Sequence, residues 1–276
     1  MAEKVWTDVP KVLTVAGSDS GGGAGVQADL KTMLAHGVYG MSVITALTAQ
    51  NTTGVLAVQE ATPDFLAAQF RAVFEDIPPD AVKVGMVSSP ALIEVIADAL
   101  QHYEAQHIVV DPVMVATSGT SLLASDAVQA LTQRLLPLAE VITPNLPELA
   151  ALTGLTVDSR EAMEAAASQL QARLGVSVLA KGGHLAETAD DLLLTADGSY
   201  WLTAERVQNP DTHGTGCTLS SAIAANLAKG LSLYEAVRQA KAYLTGALRA
   251  GLHLGHGSGP LNHAFACQAF QDKDRR

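Results

Sequence analysis

The sequence predicts an α/β protein built on a mostly parallel sheet with helices on both faces. Three observations carry that expectation. Short β-rich runs alternate with helical patterns from end to end, and the strand candidates are apolar almost without interruption, as in sheets buried on both sides. A length of 276 residues suffices for one large α/β domain or two small ones, and with no internal repeat or linker one domain over 1–276 is expected.

The first strand candidate, VLTVAG (12–17), runs into a glycine-rich turn and a helix. SVITALTA (42–49) and VLAVQEA (55–61) follow as strands. Leu66, Phe70, Val73, Phe74 and Ile77 then fall at helical spacing behind Thr62 as N-cap and Pro63 as first helical residue. AVKVGM (81–86) is a strand, and Leu92, Ile93, Ile96 and Leu100 form a second helical stripe. HIVVDP (107–112), EVITPN (140–145) and SVLAKGG (177–183) are further strands, with helices over 125–139 and 159–174 between them. The alternation breaks once, at 191–207, where two strand-like runs flank Asp197-Gly198 and predict a hairpin. Helices over about 216–229 and 233–251 end the pattern.

A formal net charge of −11 argues against nucleic acid or an anionic membrane as the main partner. An anionic small ligand would need local positive potential from helix N-termini, a lysine or a metal ion. The first ten residues start no apolar run of signal-peptide length, and no segment approaches a membrane span. Cys217 and Cys267 show no disulfide spacing, so a reducing, cytoplasmic setting is expected.

Two glycine-rich stretches bear on chemistry. Gly23-Ala-Gly25-Val-Gln-Ala28 matches the dinucleotide-binding pattern, the case for an NAD(P)-dependent oxidoreductase. The acidic residue required at the end of the second strand is missing, since that strand ends in Gln50 and Asn51. Four glycines in five residues exceed what a single turn needs, and close approach of a ligand to the backbone is the expected reason. In Thr212-His-Gly-Thr-Gly-Cys-Thr218, Gly214 to Gly216 open an apolar helix whose free N–H groups make an anion site. A helix N-terminus carries only about half a positive charge, too little to hold a triphosphate alone. Lys181, Asp111, Asn145 and Glu148 supply complements, all at carboxyl ends of strands, where open α/β sheets bind ligands. Cys217 is open to several readings: buried filler, metal ligand, nucleophile or part of the anion site. Zinc on Cys217 and His213 lacks further ligands, and His253, His256, His263 and Cys267 lie around a loop-like GHGSGP run. A thiol at a helix N-terminus has a lowered pKa, which makes Cys217 a candidate base.

Taken together, AGSDSGGGAGVQADLKT, VITALTAQNT, VKVGM, DPVM, ITPNLPE, KGGH, THGTGCT and GHGSGP resemble the hydroxymethylpyrimidine/phosphomethylpyrimidine kinases of thiamin biosynthesis, within the ribokinase-like superfamily, over about residues 11–263. The resemblance implies a ribokinase-like three-layer αβα sandwich with a small β-hairpin flap, for which 191–207 is the candidate. It implies ATP and Mg²⁺ as cofactors, two successive phosphorylations of the pyrimidine substrate, and a homodimer. Position by position, Gly17, Asp29, Gln50 and Met86 would line the pyrimidine pocket. Asp111 and Glu148 would organise Mg²⁺ through water, Asn145, Lys181 and Thr215 would meet ATP, and Gly214, Thr215, Gly216 and Cys217 would form the catalytic anion hole with Lys181. Cys217 stands where many superfamily relatives carry an aspartate base, and Thr117 where many relatives of the group carry lysine. Pyridoxal kinase activity, known in the same superfamily, is the alternative.

Overall fold

The computed structural model describes residues 9–114, 125–183 and 189–267. Its strands are β1 (Lys11–Asp19), β2 (Tyr39–Asn51), β3 (Gly54–Glu60), β4 (Ala81–Val84), β5 (Ile108–Val110), β6 (Val141–Ile142), β7 (Ser177–Ala180), β8 (Asp191–Thr195) and β9 (Gly198–Leu202). They form one sheet in the order β3-β2-β1-β4-β5-β6-β7-β8-β9. Pairing is parallel from β2 to β7 and antiparallel where β3, β8 and β9 extend the edges.

Strand alternation divides the core. In β1, Leu13 and Val15 join one apolar cluster and Val12 joins the other. The first cluster packs under α2 (Pro63–Phe74), α3 (Pro90–His102), α4 (Ser125–Ala130), α5 (Leu146–Thr153) and α6 (Arg160–Leu174). The second packs under α1 (Gly25–Ala35), α7 (Thr215–Ala228) and α8 (Leu233–Ala250). Small residues let α7 lie in the second layer: Ser220, Ser221, Ala222, Ala224 and Ala225 are all fully buried. Three layers result, as the resemblance implies.

The helix signals act as expected at α2, where Thr62 Oγ1 accepts from the Phe65 N–H at 3.3 Å and Pro63 opens the helix. The helix expected over 125–139 is shorter. After Ala130 it widens into a π turn at Leu131–Leu135 and tightens into a 3₁₀ turn at Leu136–Leu138, where Pro137 removes an N–H from the ladder.

The alternation also breaks twice rather than once. Besides the expected hairpin β8–β9, strands β2 and β3 form a hairpin around Asn51-Thr-Thr-Gly54. Asn51 Oδ1 shapes that turn by accepting from the Thr53 N–H at 2.9 Å and the Gly54 N–H at 3.2 Å. The β8–β9 hairpin itself is less of a flap than expected. Strand β8 is buried and continues the sheet beside β7, and it is the trailing segment 204–209 that borders the cavity described below. The β2–β3 hairpin brings Val55 and Val58 to the same cavity. Among the described residues no helix is long and apolar enough to cross a membrane.

Candidate active site

A cavity of about 740 Å³ lies beyond the carboxyl ends of the parallel strands. At one end stand Gly17, Gln50 and Met86, in the middle Asp111 and the segment Gly214–Cys217, and at the other Asn145, Glu148 and Lys181. Eleven of the twelve residues expected at the site line this one space; Asp29 is the exception.

Gly17 and Gln50, expected on the pyrimidine side, sit where the ladders are irregular. The β1–β2 register shifts between Ala16 and Ser18, around Gly17, and the β2–β3 register shifts between Ala49 and Gln50. A Cβ on Gly17 would lie 2.4 Å from Met86 Cε, so a side chain there would displace the end of Met86. Gln50 is tied to the glycine-rich turn, donating its N–H to Ser20 Oγ at 2.8 Å, and its Nε2 lies 3.4 Å from His213 Nε2.

Asp29 corrects the sequence reading. It is fully buried, away from the cavity lining. Thr14 and Lys83 are register partners on β1 and β4 and face the layer of α1 and α7, where Asp29 waits on α1. Its carboxylate accepts from Thr14 Oγ1 at 2.6 Å, Lys83 Nζ at 2.8 Å and Ser221 Oγ at 2.7 Å. Burial works against the Lys83 ammonium, but Asp29 beside it holds the Lys83 pKa above its usual value. Asp29 thus ties α1, β1, β4 and α7 together, meeting α7 one turn past Cys217, and Lys83 is a residue that the sequence alone does not single out.

The cradle at the start of α7 depends on backbone that only glycine adopts. Gly214 caps the helix at φ 85°, and a Cβ on it would lie 1.9 Å from the Gly23 carbonyl oxygen. The glycine-rich turn is therefore crowded by this chain itself. A Cβ on Gly23 would meet the His213 ring at 2.5 Å, and one on Gly25 the Gly17 carbonyl oxygen at 2.3 Å. Crowding by the chain thus accounts for Gly23 and Gly25 without a dinucleotide, while Ala24 and Gly25 also line the cavity, where a ligand could approach the backbone as expected.

Asp19, which sequence reasoning passed over, and His213, weighed there only as a zinc ligand, join the turn to the cradle. His213 Nε2 lies 2.9 Å from Asp19 Oδ2, and Asp19 also accepts from the N–H groups of Gly21, Gly23 and Ala24. Burial works against the Asp19 carboxylate, yet the bonds from His213, Ala24 and Gly21 hold its pKa below the usual range.

At the end of the cavity around Asn145 and Lys181 the capping chemistry of α5 matters. Asn145 Oδ1 accepts from the Glu148 N–H at 2.8 Å, while a Glu148 carboxylate oxygen accepts from the Asn145 N–H at 2.8 Å. Asn145 lines the cavity, but its side-chain oxygen is engaged in the cap. Lys181 Nζ donates to Asp111 Oδ1 at 2.8 Å and lies 3.9 Å from Glu148 Oε2. Thr143 Oγ1 donates to the same Asp111 oxygen at 3.0 Å. Burial raises the Glu148 pKa to about 7; Lys181 opposes that rise and Asp111 adds to it. A Cβ on Gly216 would lie 3.0 Å from Asp111 Oδ2 and 3.4 Å from Lys181 Nζ, so the cradle adjoins the ion pair directly.

Cys217 lines the cavity, but its chemistry departs from expectation. Burial pushes its thiol up to about 11, against the pull of Lys83 and with the Asp29 and Asp111 carboxylates adding to the rise. The half-charge of the helix N-terminus does not overcome that desolvation. The thiol is neutral at neutral pH. Thr117 lies outside the described residues.

Comparison with known proteins shows the family. The family model for phosphomethylpyrimidine kinase matches residues 19–262. Hydroxymethylpyrimidine/phosphomethylpyrimidine kinase from Streptomyces coelicolor is 54% identical over 257 residues, covering 93% of this chain and 95% of its own. The crystal structure of phosphomethylpyrimidine kinase from Clostridium difficile is 47% identical, with a TM-score of 0.78 over 86% of this chain and 98% of that one. An ADP complex of Bacillus subtilis pyridoxal kinase is 37% identical, with a TM-score of 0.88 over 95% of this chain and 100% of that one. With the family model covering most of the length and more than half the residues shared with a full-length relative, the chain belongs to the phosphomethylpyrimidine kinase family.

Proposed function

We propose that the protein transfers the γ-phosphoryl group of ATP to the hydroxymethyl oxygen of 4-amino-5-hydroxymethyl-2-methylpyrimidine, and then phosphorylates the monophosphate to the diphosphate, in thiamin biosynthesis. The observation that carries this reading is the continuity of one cavity, from the Gln50–Met86 end through the Gly214–Cys217 cradle to Lys181. Phosphoryl transfer needs positioning and charge stabilisation more than covalent chemistry. In this reading Gln50 offers the donor and acceptor that an aminopyrimidine edge requires. Met86 packs on the ring, and the cradle N–H groups take the transferring oxygens. Lys181 and Asn145 face the ATP phosphates, and the apolar stretch lined by Val207, Leu244 and Leu248 suits the nucleoside end. The neutral Cys217 thiol serves as a contact in the cradle before it serves as a base.

The donor set suits Mg²⁺. Asp111 and Glu148 are two buried carboxylates facing one ammonium, and Glu148, whose pKa is raised by burial first and by Asp111 after it, is a carboxylate whose charged form a cation would favour. Among the described residues no third acidic, histidine or cysteine side chain completes a cluster, which fits an ion held by one or two carboxylates, water and phosphate oxygens. Bound there, Mg²⁺ would neutralise the charge of the ATP phosphates. We also infer a cytoplasmic setting and a homodimer, the latter supported by exposed Leu47 and Leu56 on the edge hairpin.

Phosphorus NMR of the products from hydroxymethylpyrimidine and MgATP tests the assignment. Monophosphate followed by diphosphate is the expected outcome, and ATP left intact would overturn it. The likeness to pyridoxal kinase favours one second reading, since pyridoxal also presents a hydroxymethyl group on an aza-aromatic ring. A higher kcat/KM for pyridoxal than for hydroxymethylpyrimidine would establish it.

A further inference from the structure

The run Gly255-His-Gly-Ser-Gly-Pro260 contributes nothing to the chemistry above, yet its backbone closes on the tip of the β2–β3 hairpin. Thr52 Oγ1 accepts from the His256 N–H at 3.1 Å and the Gly257 N–H at 3.3 Å. Side chains are shut out of this contact. A Cβ on Gly255 would lie 2.3 Å from Thr52 Oγ1, and one on Gly257 would lie 2.1 Å from the Thr52 carbonyl oxygen. The loop is also fastened to the segment that leads into the cradle. Asp211 Oδ2 accepts from the His253 N–H at 2.8 Å, and the His213 N–H donates to the Gly259 carbonyl oxygen at 3.1 Å. One loop therefore grips both the hairpin turn and the residue before Gly214.

Gln50 lies two residues before Thr52, at the ladder irregularity, with its Nε2 3.4 Å from His213 Nε2. Strand β3, which completes the hairpin, is largely exposed and brings little buried area to hold the tip in place. We propose that Thr52 is a positioning residue for pyrimidine recognition: its hydroxyl locks the hairpin turn to the 255–257 loop and so fixes Gln50 opposite His213. The inference rests on Gln50 belonging to the pyrimidine pocket. The Thr52 bonds themselves join only the hairpin turn and residues 256–257, and the Lys181 and Glu148 end has no contact with this loop in the bonds that define it.

Thr52→Val keeps the side-chain shape and deletes the acceptor, whereas Thr52→Ser keeps the acceptor. Steady-state kinetics with hydroxymethylpyrimidine and MgATP should show the pyrimidine KM raised about tenfold in Thr52→Val, on the order of what lost hydrogen bonds carry. The ATP KM and kcat should stay within about twofold, and Thr52→Ser should restore the wild-type KM. Hydrogen exchange, read without substrate, should be faster in Thr52→Val at the His256 and Gly257 amides and across 50–54. A wild-type pyrimidine KM in Thr52→Val, or an equal change in both KM values, would overturn the proposal. If the wild-type protein itself fails to phosphorylate hydroxymethylpyrimidine, the functional assignment fails instead. Exchange then still decides the clasp, and unchanged protection at 256–257 would sink it.

Discussion

Replacing Lys181 by methionine keeps most of its volume and removes its charge. The ammonium stands 2.8 Å from Asp111 and 3.9 Å from Glu148, with side-chain exposures of 15%, 2% and 5%. Without it two buried carboxylates face each other with no cation between them. Removing one partner of a buried pair typically costs about 3–5 kcal/mol, and the opening of this site to the cavity argues for the lower end, about 3 kcal/mol. For a chain of this size that is a fall in Tm of about 6–12 °C. The effect carries a pH signature. Glu148 has an ordinary value of 4.5 and is raised to about 7 in the folded protein. Between those values the folded state holds a proton that the unfolded state has released, so this group's contribution to stability falls as pH rises through the window. Each pH unit there is about 1.4 kcal/mol per proton. In the wild type the window closes near 7; without Lys181, which opposes the rise, it extends higher. The stability deficit of Lys181→Met should therefore grow by about 1–2 kcal/mol from pH 7 to 8.5. Urea denaturation followed by circular dichroism at pH 6, 7 and 8.5, without Mg²⁺ or nucleotide, measures it. A deficit under about 1 kcal/mol, or one that does not grow with pH, would refute the argument.

Two more outcomes follow from the cradle. Gly214→Ala puts a side chain at positive φ and against the Gly23 carbonyl oxygen, so it should lower kcat by about 10²–10³-fold through misplaced N–H donors. It should also lower Tm through backbone strain of about 1–3 kcal/mol. Single-turnover rates and melting curves check both, and wild-type values for the two together would contradict the geometry. Cys217→Ala should stay within about 10²-fold of wild-type kcat near pH 7.5, because a thiol pushed up to about 11 contributes little base at that pH. A loss of about 10³–10⁴-fold would mean that the thiolate is the base after all.

Much of this architecture was legible because each signal had a local cause. Asp111, Asn145 and Lys181 follow strands β5, β6 and β7, and apolar runs ending in polar residues disclose such positions directly. The Gly214 cap was legible for the same reason, since glycines ahead of an apolar helical stripe mark an N-terminus. What escaped notice depends on contacts distant in sequence. Lys83 reads as one polar residue inside a strand until the register with Thr14 turns it toward Asp29, 54 residues away in sequence. His213 and Asp19 are 194 residues apart, and nothing in either neighbourhood announces the other. The β2–β3 hairpin escaped because an Asn51 side chain, rather than an Asn-Gly dipeptide, makes its turn. The direction of the Cys217 shift was misread because a helix end is visible in sequence while burial is not.

The assignment of α7 and α8 to the second layer sets an order on how the chain is made. Val12, Ala81, Val109, Val141 and Leu179 come from five parallel strands, and α7 and α8 cover them only once residues 215–250 exist. A chain emerging N-terminus first thus carries a sheet with one face roofed by α2 to α6 and the other by α1 alone. Exposed apolar surface of that kind invites aggregation. The Gly214–Cys217 segment proposed to cradle phosphate sits on the same late stretch. A polypeptide stopped after β9 would lack that backbone and display its uncovered core at once, so in this reading the chain acquires solubility and chemistry in a single closing step.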